Sequence, residues 1–338
     1  MMPRCVDRQA GINAFLNAAG WPPAGRTHLA ADCSFRRYER VTGPAGSAVL
    51  MDAPPEKEDV RPFITMAERL IAAGYSAPRV LARDTANGFL LLEDLGDNTF
   101  TQAFAAGRAE APLYRLAMDV LSDLHRRPTR PLCADLAPYD DDLLAGELAV
   151  FLDWYLPEVM GAPLDDAVRA AFLAAWRPLF QVARAVPTHL VLRDYHVDNL
   201  MVLEGRAGLA TCGLLDFQDA VVGPVTYDIV SLLQDSRRDV DRAVAADLIA
   251  GYLARHPDIA PGNFAVSYAI LGAQRGLKVL GIFARQSRAY GNHDLLGHMP
   301  RIWRYIEEDL AVPELTSMRN FLAQVLPPER RLALAPPA

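Results

Sequence analysis

Asp194 and Asn199 stand five residues apart and are followed by an apolar run over 200–203, a turn-like Glu204-Gly205-Arg206-Ala207-Gly208, and a second apolar run over 209–215 that stops at Asp216. No other feature limits the possible folds of this chain as strongly. Two short apolar runs around a glycine-containing turn predict a β-hairpin. A hairpin there brings Asn199 and Asp216 to one edge, beside the loop that carries Asp194. Each Asp alone reads as an ordinary turn former; the spacing of the set is the signal.

Three oxygen-bearing side chains so gathered suit phosphoryl transfer. That chemistry needs a carboxylate to orient and deprotonate an attacking hydroxyl, and oxygen ligands for Mg²⁺ to spread the charge of the transferring group. Asp194 is the candidate base. Mg²⁺ takes one or two protein carboxylates or amides and completes its shell with phosphates and water, so Asn199 and Asp216 are its candidate ligands.

The segments Val191-Leu192-Arg193-Asp194-Tyr195-His196-Val197-Asp198-Asn199-Leu200-Met201 and Leu214-Leu215-Asp216-Phe217-Gln218-Asp219 resemble the site motifs of the aminoglycoside phosphotransferase and choline kinase superfamily. Further segments carry the likeness over nearly the whole chain: Asp32-Cys33-Ser34-Phe35-Arg36-Arg37-Tyr38, Met51-Asp52-Ala53-Pro54-Pro55, Leu92-Glu93-Asp94-Leu95-Gly96 and Arg275-Gly276-Leu277-Lys278. The second and fourth are most similar to the bacterial kinases that phosphorylate the anomeric hydroxyl of N-acetylmuramate and N-acetylglucosamine. The resemblance implies an α+β, bilobal, protein-kinase-like fold with a small β-rich N-lobe holding one long helix and a larger, mainly helical C-lobe. It implies ATP as phosphoryl donor, Mg²⁺, and adenine contacts from the backbone of Glu93 and Leu95. The same fold also serves kinases of aminoglycosides, choline and other sugars, and a non-catalytic nucleotide-binding module is a third reading.

The pattern along the chain agrees. Residues 35–42 and 47–51 flank a Gly-Pro-Ala-Gly turn, 79–82 and 89–93 flank Thr85-Ala86-Asn87-Gly88, and 57–73 between them has helical apolar spacing with Phe63, Met66, Ala67, Leu70 and Ile71 on one side. Residues 12–19 read as a short helix ended by Gly20-Trp21-Pro22-Pro23. A nucleotide-clamping lobe over 1–95 is expected, then a catalytic and acceptor lobe over 96–326 and a loose tail over 327–338. In the second lobe, helices are expected over 115–127, 141–156, 164–184, 225–233, 241–255, 263–286 and 300–310.

Composition limits the partners. A net charge of -7 argues against nucleic acid and anionic membranes. The most apolar stretch, 264–283, carries Arg275 and Lys278 and so fails as a membrane span. The first residues do not read as a secretory signal, and the four cysteines lack paired metal or redox spacing. A cytoplasmic enzyme acting on a small amino sugar is expected.

The nucleotide side departs from the kinase pattern. The position of the phosphate-binding lysine falls on Met51, the glycine-rich loop is missing, and the chain has only two lysines, Lys57 and Lys278. Arginine is a physical substitute because its guanidinium pairs with phosphate oxygens in bidentate fashion. Arg36 and Arg37 are the candidates, with Ser34 as a further donor. If the segment is extended, one arginine faces the cleft and the other solvent. Glu68 is expected either to orient a first-lobe arginine or to be a surface carboxylate.

On the acceptor side, Arg275, Lys278 and Arg285 share one face of an apolar helix. Facing a cleft, they would attract an anionic acceptor such as the lactyl carboxylate of N-acetylmuramate; facing outward, they would be a solvated stripe. Glu147 and Trp154 are expected to meet the sugar, with Phe151 on the same face; the alternative is that two aromatics at helical spacing belong to the core. His196 reads as an acceptor contact or a brace, and Asp219 as a second metal or sugar ligand. Asp228 is the brace of the catalytic loop that the resemblance implies.

Overall fold

A computed structural model describes residues 4–29, 35–43, 46–331 and 334, with the side chains of residues 4–7 left out of account. Ser34 and the turn residues Pro44 and Ala45 lie outside the described residues. The chain divides into two compact units, 1–108 with 198–219, and 109–197 with 220–338.

The first unit is built on a five-stranded antiparallel sheet in the order β1-β2-β3-β5-β4. Its strands are β1 (Thr27–Leu29), β2 (Arg37–Gly43), β3 (Gly46–Asp52), β4 (Val80–Asp84) and β5 (Phe89–Glu93). Helices α1 (Arg4–Ala18), α2 (Arg61–Ala72) and α3 (Phe100–Ala105) complete it, with a late hairpin of β7 (Leu200–Val202) and β8 (Cys212–Leu214). The first core forms where Ile12 and Leu16 of α1 meet Val41, Ala48, Leu50, Phe89 and Leu91 of the sheet. On α2 the expected apolar face buries Phe63, Met66, Ala67 and Leu70, and Ile64 joins them in place of half-buried Ile71. Gly88 closes the β4–β5 turn at φ +70°, and a Cβ there would stand 1.8 Å from the Ala53 carbonyl oxygen, so only glycine fits.

The second unit is mainly helical: α4 (Glu110–Arg126), α5 (Thr129–Leu132), α6 (Asp141–Val150), α7 (Leu156–Met160), α8 (Asp166–Ala183), α9 (Thr226–Leu233), α10 (Arg242–Arg255), α11 (Pro261–Tyr290), α12 (Met299–Asp309) and α13 (Thr316–Val325). Capping follows the sequence: Asp140 accepts from the Leu143 N–H at 2.9 Å, and Asp165 from that of Ala167 at 2.7 Å. The core packs α6, α8, α9, α12 and α13 around α11, with Phe151, Tyr155, Trp176, Leu277 and Trp303 at its centre. α11 is 30 residues long, yet no helix among the described residues is long and apolar enough to cross a membrane.

Three features depart from the expectations. The single helix expected over 141–156 is α6, a π-helical turn Phe151–Tyr155 and α7 in succession. A two-stranded sheet, β6 (Thr188–Val191) with β9 (Val221–Pro224), lies in a unit expected to be helical outside its site strands. The hairpin of β7 and β8 packs with the first unit, whereas the expected lobe boundary at 95/96 put it in the second.

Candidate active site

In the first unit the predicted hairpin forms with Leu200 opposite Leu214 and Val202 opposite Cys212. The Leu215 N–H donates to the Asn199 carbonyl at 3.0 Å, extending the ladder one step, so Asn199 and Asp216 leave the hairpin at the same end. Asp216 has φ +58°, a left-handed conformation that a non-glycine residue holds only at a cost of roughly 1–3 kcal/mol. Next to it Phe217 is fully buried and stacks on Phe63 of α2 with ring centroids 5.0 Å apart. Burial of that ring leaves the Asp216 side chain 44% exposed. Gln218 bridges the neighbouring carboxylates, donating to Asp216 at 2.8 Å and Asp219 at 3.1 Å. Asp198 accepts from Thr101 Oγ1.

A cleft of about 810 Å³ in this unit is lined by Arg36, Tyr38, Arg40, Glu93, Leu95, Asn199 and Asp216, among others. Arg36 is buried, and its guanidinium stands 3.7 Å from each of Glu58, Asp216 and Asp219. Arg37, one residue on, is exposed. Carried further along β2, the same alternation identifies Tyr38 and Arg40, which reading this segment as a phosphate-covering loop did not single out. Arg40 binds Asp94 at 2.7 Å and Asp97 at 2.8 Å at the far side of the cleft. Burial pushes the Tyr38 hydroxyl up to about 12 although Arg36 opposes it, so the phenol stays protonated.

The other nucleotide-side candidates are placed as follows. Met51 is fully buried, and the Lys57 ammonium sits over the Phe35 ring, 5.3 Å from its centroid. Glu68 is an exposed partner of exposed Arg83 at 3.6 Å. The Glu93 N–H already donates to the Arg79 carbonyl at 2.8 Å, and its carboxylate takes Arg79 and Arg206. A carboxylate and an amide at one hairpin end are hard oxygen donors of the kind Mg²⁺ selects, so Asn199 and Asp216 fit that ion.

In the second unit, the loop after β6 turns sharply at Arg193, where φ is +70°. Asp228 of α9 holds this turn: its carboxylate accepts the N–H of Leu192 at 2.7 Å and of Arg193 at 2.9 Å. Burial pushes the Asp228 carboxyl up to about 7 against those two bonds. The Asp194 N–H donates to Leu192 O at 2.9 Å, and Asp194 itself is half-buried. Tyr195 anchors the loop by donating to Ala117 O at 2.9 Å. Burial pushes the His196 imidazole below its usual range, so it is neutral at pH 7.

Glu147, expected to meet a sugar, is buried, and its oxygens are already occupied. Tyr139 donates at 2.6 Å, Arg193 at 2.5 Å, Gln274 at 3.1 Å and Lys278 at 2.6 Å. Although burial alone would raise it, the Lys278 and Arg193 cations hold the Glu147 carboxyl at about 2. Lys278 is correspondingly 12% exposed, so its charge is spent within the cluster. The π-helical turn breaks the single face expected for Glu147, Phe151 and Trp154: Phe151 is fully buried, and Trp154 packs half-buried against the core. Arg275 is buried and acts on Asp228 and His196, and Arg285 is half-buried, so the three cations do not form a solvated stripe.

A profile of the family described as "Phosphotransferase enzyme family" matches residues 26–263. A curated N-acetylmuramate/N-acetylglucosamine kinase of Caulobacter vibrioides is 35% identical over 96% of this chain and 98% of its own length. The protein of the same name from Pseudomonas aeruginosa is 37% identical over 91% of each chain. Among solved structures, a choline/ethanolamine kinase family protein from Mesorhizobium loti superposes with a TM-score of 0.60 at 15% identity, covering 95% of this chain and 98% of its own. The gentamicin complex of APH(2")-IIa superposes with a TM-score of 0.56 at 15% identity, over 93% of this chain and 99% of its own. At such identities the structural likeness establishes the kinase-like fold.

Proposed function

The chain belongs to the phosphotransferase enzyme family, and from that membership we propose that it is an ATP-dependent sugar kinase acting on the anomeric C1 hydroxyl of N-acetylmuramate and N-acetylglucosamine. The observation that carries this reading is identity above one third to kinases of that name over more than nine tenths of both chains. The activity would return recovered cell-wall sugars toward biosynthesis in the cytoplasm.

Asp194 takes the proton of the C1 hydroxyl as its oxygen attacks the γ-phosphorus. The new O–P bond forms as the bond to the β-phosphate oxygen breaks, and ADP leaves. An anomeric hydroxyl is more acidic than an ordinary alcohol, so a carboxylate suffices as base, and positioning supplies most of the rate. Mg²⁺, held by Asn199 and Asp216, would spread the charge of the transferring group. Arg36 takes the phosphate-binding role left open at Met51, Ser34 is the further donor we propose, exposed Arg37 is the solvent-facing member of the pair, and backbone groups of Glu93 and Leu95 meet the adenine. His196, Asp219 and Trp154 serve the acceptor side. Arg275 contributes positive potential that suits an anionic acceptor, whereas the charge of Lys278 is taken up by Glu147.

Asp194→Asn tests the base. We expect kcat to fall by about 10²–10⁴, with nucleotide affinity measured by calorimetry retained; near-normal turnover would remove the assignment. An acceptor panel with ATP and Mg²⁺, read by phosphorus NMR, tests the substrate. A sugar 1-phosphate should appear with both amino sugars, and its absence while another acceptor is phosphorylated would replace the reading.

A further inference from the structure

Glu147 gathers two cations in the protein core, and one of them belongs to the residue immediately before Asp194. Its Oε1 takes Arg193 at 2.5 Å and Lys278 at 2.6 Å, while Oε2 takes Tyr139 at 2.6 Å and Gln274 at 3.1 Å. A carboxylate has about four acceptor sites, and here all are used. A sugar hydroxyl could bind only by displacing one of them.

Stability alone does not explain the cluster. Burying an ion pair costs desolvation that its attraction barely offsets, and apolar side chains of similar volume would do as well. The position of Arg193 gives a better reason. With φ at +70° it is strained, and such strain persists only where the surroundings over-determine it. Two independent holds act on this one residue: Asp228 takes its N–H at 2.9 Å, and Glu147 takes its guanidinium. The Arg193 guanidinium also lies 5.9 Å from the Tyr139 ring centroid, whose hydroxyl is fixed by the same carboxylate.

We propose that Glu147 is a positioning residue for phosphoryl transfer, acting through Arg193 to aim Asp194, with Lys278 as a second cation on the same carboxylate. The inference rests on Asp194 as the base. Losing the Glu147 charge releases the side-chain hold on Arg193 and lets the turn relax, and a displacement of about 1 Å at a reacting group costs on the order of a hundredfold in rate.

Steady-state kinetics of the full chain with ATP, Mg²⁺ and each amino sugar tests this. Glu147→Gln should lower kcat roughly ten- to a hundredfold for both sugars, with both sugar KM values within about twofold of wild type. Glu147→Asp, which keeps the charge at shorter reach, should recover part of that loss. A sugar KM that rises while kcat holds would make Glu147 a sugar ligand and overturn the proposal, as would unchanged kinetics. If Glu147→Gln fails to fold because two buried cations face a neutral amide, the double variant Glu147→Gln/Lys278→Met restores the cluster's wild-type net charge. It should show the same low kcat at near-normal sugar KM, whereas wild-type kcat there would overturn the proposal. In an Asp194→Asn background, Glu147→Gln should add no further loss, since the two residues act as one unit; a full additional loss would mean that Glu147 acts by another route. The base assignment fails separately, on Asp194→Asn alone.

Discussion

At Arg193 and Asp216 the backbone holds φ of +70° and +58°, and each strained residue belongs to one of the two site motifs. Asp228, which fixes the first of them, carries a carboxyl whose pKa is raised from 3.8 to about 7, chiefly by burial. A group that binds its proton more tightly in the folded state contributes stability that is complete below the unfolded pKa and lost as pH rises through the folded one. That contribution amounts to on the order of 4 kcal/mol between about pH 4 and pH 7. Asp228→Asn does not titrate, so its stability deficit against wild type should shrink as pH rises across this window. Urea denaturation of both proteins at three pH values measures the gap, and a constant gap would contradict the assignment. Arg36 and Arg37 give a sharper contrast, being buried and exposed neighbours. Arg36→Met should weaken nucleotide binding about ten- to a hundredfold, the worth of one charge-assisted contact, while Arg37→Met leaves it near wild type by calorimetry. The sequence showed the alternation but not which arginine turns inward. That choice depends on Glu58, Asp216 and Asp219, distant positions whose carboxylates meet around Arg36 only in the folded unit.

Helical periodicity located α2, α4, α8 and α12 well, because each buries one apolar face over several turns, while α9 and the middle of α11 are buried all round and were legible as long apolar runs. It failed between α6 and α7, where no sequence rule marks the π-helical turn Phe151–Tyr155. The cause lies on α11. Gly281 approaches this turn so closely that a Cβ would stand 2.4 Å from the Phe151 nitrogen and 2.6 Å from the Val150 carbonyl oxygen. Phe151 and Tyr155 then stack with centroids 5.3 Å apart, and the Tyr155 hydroxyl accepts from the Trp303 indole at 2.7 Å. An alanine at 281 would gain roughly 1 kcal/mol of helix propensity. The clash is with backbone, which cannot rotate away, and overpacking of this kind costs about 1–3 kcal/mol. Gly281→Ala should therefore destabilise the protein, seen as a lower urea midpoint; an unchanged or higher midpoint would show that the close approach is not needed. The short β6 and β9 escaped the reading for a different reason. With four mostly buried residues each and no short turn joining them, as one joins β7 and β8, neither period nor a hairpin signal declares itself.

The chain passes through its first unit twice, since 198–219 clusters with 1–108. Long-range main-chain bonds make this so: the Val202 N–H donates to Asn98 O at 2.8 Å and the Leu214 N–H to Ser76 O at 2.7 Å. Ser76 Oγ adds a bond to Ala210 O at 2.6 Å. Periodicity sees neighbours along the chain, so the lobe boundary placed at the Leu95-Gly96 turn could not include a hairpin that begins a hundred residues later. Bonds of this kind also predict a cooperative unit. Leu50 is fully buried between α1 and the sheet, and Leu50→Ala should cost about 2–5 kcal/mol. Native-state hydrogen exchange should then accelerate together at the amides of 37–43 and 46–52 and at Val202, Leu214 and Leu215. The Tyr139 and Val222 amides, which bond within the second unit at 2.7 and 2.9 Å, should exchange as in wild type. If the hairpin amides keep their protection while the sheet loses its own, Asn199 and Asp216 stand on an element whose stability does not come from the sheet, and the link between that sheet and the proposed metal ligands is broken.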